Sequence, residues 1–185
     1  MSFQHPALAQ AADSGEVRLL SQAANTLGAP DPLQAMQFVD CDPAGVTKQV
    51  AQLDRATQQL TDAAERFSSV IARIDAGWSG GDGHAAFTEA AADLTKGYAD
   101  TAHRTQEGVD LGKEVASTLD SVATTVGHQA TAIAGGVTEA SQRVLAGEQD
   151  AAAEEVNKAC RDILLVVQEN LRIVGELADH MKSKV

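Results

Sequence analysis

Gly77-Trp78-Ser79-Gly80-Gly81-Asp82-Gly83 is the stretch on which the reading of this chain turns. Four glycines crowd around the only Trp in the sequence. Glycine reaches φ > 0 without a steric penalty, so the run predicts a tight turn that breaks any helix entering it. Asp82 stands where it could cap a helix that leaves the turn.

Both sides of this turn carry the same pattern. Before it, Val46, Val50, Leu53, Thr57, Leu60, Ala64, Phe67, Ile71 and Ile74 advance in steps of four and three. After it, Phe87, Ala91, Leu94, Tyr98, Thr101, Thr105, Gly108, Gly112, Val115, Leu119, Val122 and Val126 do the same. Such a seam marks helices that pack nearly parallel or antiparallel. Asp42-Pro43 is a helix start, with Asp as N-cap and Pro in the first turn. The first helix is expected to run to about Ala76. Gly108 and Gly112, four apart on the second seam, would let another helix approach closely. Two such helices joined by a short Gly-rich turn predict an antiparallel αα-hairpin over residues 43–127.

Residues 1–42 read as an N-terminal helix and a connection. Val17, Leu20, Ala24 and Leu27 share one side, and Gly28, Pro30 and Pro32 stop that helix. Gly127 and Gly135-Gly136 are candidate interruptions, and Gly147 a candidate reversal. Residues 128–185 end in a strong helix carrying Val156, Cys160, Ile163, Val167, Leu171, Val174, Leu177 or Ala178, and Met181. They are expected to pack on the hairpin or extend it. The fold class expected is all-α: an antiparallel helical hairpin extended into an elongated bundle of about four helices.

Composition agrees with helices. The chain has 185 residues, 44% hydrophobic but only 3% aromatic, so its apolar content is mostly Ala, Val and Leu. Ala favours helices, and alternating β-branched stretches are absent. The net charge of −12 repels phosphate backbones and anionic membranes, so neither nucleic acid nor a lipid surface is an expected partner. No apolar run is long enough to span a bilayer, and residues 1–10 lack the features of a Sec signal peptide. The expected location is the cytoplasm, unless another route exports the protein.

Reactive chemistry finds no foothold. Glu176 with His180, and Asp100 with His103, are spaced to touch a metal, but a site needs three or four convergent ligands. No nucleophile elbow or Walker pattern occurs. Cys41 lies in a Pro-flanked connection without a nearby His, and Cys160 falls on an apolar stripe as a small hydrophobe. His84 sits in the first turn after the glycines, where a helix N-terminus disfavours its charged form. No enzyme activity, cofactor or metal is expected.

Trp78-Ser79-Gly80 between two amphipathic helices resembles the WXG superfamily of helical hairpins handled by type VII (ESX) secretion. The resemblance covers roughly residues 43–127. It implies a non-enzymatic protein that acts by helix–helix partner binding, as a homodimer or a heterodimer with another small helical protein. It also implies export, or the guiding of a partner's export, by a type VII system of actinobacteria or other Gram-positive bacteria, without a Sec signal peptide. The family's tip role falls on Trp78 and Gly80. Two features depart from the family: the chain is about twice the usual hairpin length, and Tyr-x-x-x-Asp/Glu is absent, since Tyr98 is followed by Ala102. A cytosolic helical-bundle scaffold or adaptor unrelated to secretion is the alternative reading.

Overall fold

The computed structural model describes residues 2–78, 80–148 and 150–184. Among the described residues there are seven helices and no strand: α1 (Pro6–Asp13), α2 (Gly15–Leu27), α3 (Pro32–Gln37), α4 (Pro43–Gly77), α5 (Asp82–Gly136), α6 (Thr138–Leu145) and α7 (Asp150–Lys184). The all-α class holds, with more helices than the four expected. The chain forms two compact units, one of residues 1–43 with 115–185 and one of residues 44–114.

The first unit is built on α1, α2, α3, α6, α7 and the C-terminal part of α5. Its core joins Leu8, Leu20 and Met36 to Val126 of α5, Val144 of α6 and Ile163 of α7, all within 1% of full burial. Alanines fill much of the remaining space, including Ala23, Ala24, Ala123, Ala130 and Ala134. Small side chains bring helix axes together, which suits a chain poor in aromatics.

Residues 1–42 hold three helices where one was expected. The short ones depend on side-chain caps that periodicity does not reveal. His5 Nδ1 accepts from the Ala7 N–H, and Pro6 opens α1. Ser14 serves two helices: its Oγ donates to the Ala11 carbonyl at 2.8 Å and accepts from the Val17 N–H at 3.3 Å. Asp31 caps α3 through the Leu33 N–H at 2.9 Å and also accepts from Ser21 Oγ at 2.8 Å. Thus Pro32, expected only to stop a helix, also opens the next one, because Pro suits the first helical turn. Gly28 ends α2 at φ 68°, with the Ala29 N–H returning to the Ala24 carbonyl.

The N-terminal segment is tied down by charge and geometry. Asp40 accepts from the backbone N–H groups of Gln4 and His5, each at 3.0 Å. His5 is buried, and its Nε2 lies 3.1 Å from Asp120 Oδ1. Gly127 does not interrupt α5. A Cβ placed there would lie 2.8 Å from the Ala7 carbonyl oxygen, so glycine allows α1 to press against the α5 backbone. Gly147, at φ 90°, marks the reversal between α6 and α7.

Cys160 is fully buried, and Cys41 is half-buried. Burial, then the Asp31 carboxylate, push the Cys160 thiol up to about 11. Burial also raises Cys41, helped by Asp40, Asp120 and Asp42. Among the described residues no helix is long and apolar enough to cross a membrane.

The second unit is made of α4 and the N-terminal part of α5. The 35 residues of α4 span about 52 Å at 1.5 Å per residue. As numbers rise along α4, they fall along the facing part of α5. A Cβ on Gly112 would lie 2.5 Å from Val50 Cγ2, and one on Gly108 would lie 3.5 Å from Leu53 Cδ2. Further along, Phe67 and Tyr98 meet edge-to-face with centroids 6.0 Å apart. Gly112 therefore admits a close approach on the seam, whereas a Cβ at Gly108 would make only an ordinary contact.

A candidate recognition tip

The turn between α4 and α5 has left-handed backbone at Gly80 (φ 79°) and Gly81 (φ 95°), a region that L side chains rarely adopt. Gly81 rather than Asp82 closes the start of α5: its carbonyl accepts from the His84 and Ala85 N–H groups at 3.1 and 3.3 Å. Asp82 sits in the first turn instead, where its charge complements the helix N-terminus. Of the expected motif, Trp78 and Gly80 are placed; Ser79 lies outside the described residues.

Trp78 folds back over the start of α5. Its ring is edge-on to His84 and tilted over Phe87, with both centroids 5.7 Å away. A Cβ on Gly83 would come within 3.4 Å of the indole Cζ2, so Gly83 is the floor beneath the ring. The indole is still 42% exposed. It therefore covers the end of the packed seam and presents a large apolar edge to solvent.

His84 is more than the surface histidine that its position suggests. Its Nε2 lies 2.8 Å from Asp75 Oδ1, which links the last turns of α4 to the first turn of α5. Nothing in a single helical period marks this pair, since nine residues and a turn separate them. The usable signal is their placement: each stands three residues from one end of the turn at Trp78–Gly81.

Next to the tip, α4 and α5 leave a shallow groove lined by Ile71, Ala72, Ala91, Ala92 and Ala99, with Asp75 and Lys96 at its rim. Val70, Ile74 and Leu94 also stay 39–50% exposed in this unit. Four of the six aromatic residues of the chain (Phe67, Trp78, Phe87 and Tyr98) fall within this stretch. The arrangement suits contact with another helical surface, because apolar side chains are exposed at helical spacing.

In each pair spaced for metal binding, one member is engaged elsewhere. Glu176 meets Arg172, and His103 Nδ1 lies 3.6 Å from Glu107. Among the described residues no group of three or more His, Cys, Asp or Glu is gathered as a metal would need. Comparisons of the chain with family models, curated proteins and solved structures find no match.

Proposed function

We propose that the chain is a non-enzymatic, WXG-like protein associated with type VII (ESX) secretion, acting through helix–helix partner binding. In this reading α4 and the facing part of α5 are an antiparallel hairpin, and the remaining helices form a bundle of their own. The hairpin docks with a partner of the same helical kind, and Trp78 with Gly80 shapes the end that the partner or the secretion machinery recognises. Export by such a system needs no Sec signal peptide.

The observation that carries this reading is the half-exposed Trp78, held by His84 and Phe87 above a turn with two left-handed glycines. A turn needs its glycines but does not need an indole. A large, exposed apolar ring fixed by neighbours is a pre-organised contact, and Trp is prominent among residues that dominate interfaces. The cytosolic scaffold reading draws its support from Ala102, which stands where an acid would complete the Tyr98 motif.

Co-purification from the native host tests the proposal. The full chain is expected to bring down one small helical protein at fixed stoichiometry. Trp78→Ala is expected to lose that protein while the circular dichroism spectrum stays unchanged. Retention of every partner by a folded Trp78→Ala variant would remove the tip from the account.

A further inference from the structure

Asp75 and His84 tie the two ends of the turn together, and Trp78 leans on one of them. Asp75 Oδ1 lies 2.8 Å from His84 Nε2, across the turn from α4 to α5. An ionised carboxylate only accepts hydrogen bonds, so the proton in this bond belongs to Nε2. That leaves Nδ1 as the nitrogen that gains or loses a proton. The imidazole also meets the indole of Trp78, with centroids 5.7 Å apart and planes at 76°. One side chain is thus both the bond that closes the turn and one wall of the seat in which Trp78 rests. Phe87 is the other wall.

A proton on Nδ1 changes the strength of this bond without changing its partners. While His84 is neutral, a neutral N–H meets a carboxylate. Once Nδ1 is protonated both partners carry charge, and Coulomb attraction is added to the hydrogen bond. Water screens it only in part, because the His84 side chain is 25% exposed. The charges around the ring do not cancel this gain. The N-terminus of α5 opposes a cation, but Asp82 in its first turn offsets that, and Glu89 further along α5 is another anion. Arg73, the last cation of α4, turns its Nε to the Ser69 carbonyl, away from the turn. Lys96 stands about 18 Å further along α5.

We propose that Asp75 and His84 form a proton-responsive clamp on the recognition tip. Histidine changes its charge between about pH 5 and 8. Towards the acid end of that range the clamp is tight, and Trp78 is held against His84 and Phe87. Towards the alkaline end the bond is weaker, the turn opens more often, and the indole spends more time off its seat. A ring already fixed loses less freedom on binding, so the tip recognises its partner more tightly in mildly acidic surroundings. The inference rests on the recognition role given to Trp78 above and adds the regulation of that site.

Trp78 is the only tryptophan, so the emission of the full chain reports this one ring. From about pH 8.5 to about pH 5.5 the emission is expected to fall along a single-site curve, because a protonated imidazole quenches a neighbouring indole. Over the same range the rate of acrylamide quenching, corrected for lifetime, is expected to fall about two- to fivefold as the tip tightens. His84→Gln can still donate to Asp75 but carries no titrating proton. Both changes are expected to vanish in it, with the far-UV circular dichroism unaltered. Asp75→Asn keeps the histidine, so its emission still titrates, but acrylamide access no longer follows pH. Wild-type emission that is flat with pH, or that titrates equally in His84→Gln, overturns the inference. So does acrylamide access that stays constant in the wild type, or that follows pH in Asp75→Asn as it does in the wild type. Each of these results leaves the recognition role of Trp78 to its own co-purification test.

Discussion

Gly112→Ala puts one methyl group against the tightest contact between α4 and α5. The new Cβ would lie 2.5 Å from Val50 Cγ2, with Val50 Cβ and Cγ1 at 3.7 and 3.8 Å. Ordinary carbon–carbon contacts sit near 3.5–4.0 Å, so the helices must separate by about 1 Å or Val50 must turn. Val50 cannot turn easily, because a β-branched side chain in a helix has one strongly preferred rotamer. It is also buried, with 9% exposure. Overpacking of this kind costs about 1–3 kcal/mol. Against it stands the gain of replacing a helical Gly by Ala, about 1 kcal/mol. The net expectation is a loss of up to about 2 kcal/mol. Gly175→Ala is the reference: it lies in α7 with no atom within 4 Å of where the added methyl would lie, so it gains the propensity term alone. Urea denaturation followed by circular dichroism gives both values. Adding Val50→Ala to Gly112→Ala removes the obstructing methyls, and the double variant is expected to lose less than the two single changes predict. If Gly112→Ala stabilises as much as Gly175→Ala, the close packing of these helices is refuted.

Gly127→Ala drives a methyl into the Ala7 carbonyl, a backbone group that cannot rotate away. It is expected to cost about 1–3 kcal/mol and to speed protease cleavage within residues 2–13, read by mass spectrometry. Ser141 is fully buried, and its hydroxyl has no hydrogen-bond partner in the structure. Ser141→Ala is therefore expected to raise stability by about 1 kcal/mol, seen as a higher melting temperature. Cys160 has a folded-state pKa raised from 9.0 to about 11, so the unfolded chain releases its proton first as pH rises. Its contribution is fully present below pH 9 and is lost towards pH 11, on the order of 2 kcal/mol. Cys160→Ala is expected to remove that part of the alkaline loss, measured as the difference between urea midpoints at the two ends of this window.

What the sequence made legible was whatever repeats. The four-three seams located α4 and the start of α5, and Asp42-Pro43 and Gly77 bounded α4 closely. Gly28 and Gly147 fell at ends because their positive φ has no helical alternative. Contacts between distant residues were not legible. Gly127 looked like a break because propensity penalises it; the α1 backbone pressed against it supplies the reason for glycine. Helices α1 and α3 are too short to show a period, and α1 depends on an unusual histidine cap. At the tip, the glycine cluster located the turn that holds Trp78 and Gly80. The Asp75–His84 link was not, because it exists only once the turn brings two helices together.

Secretion is the most direct test of the central claim. The full chain would be followed by quantitative immunoblotting in cells and medium of the native host, with and without its type VII machinery. The account predicts that the protein, or the partner it travels with, reaches the medium only when the machinery is present. It also predicts that Trp78→Ala lowers that fraction without lowering the cellular amount. If chain and partner both remain in the cells regardless of the machinery, the secretion reading is contradicted.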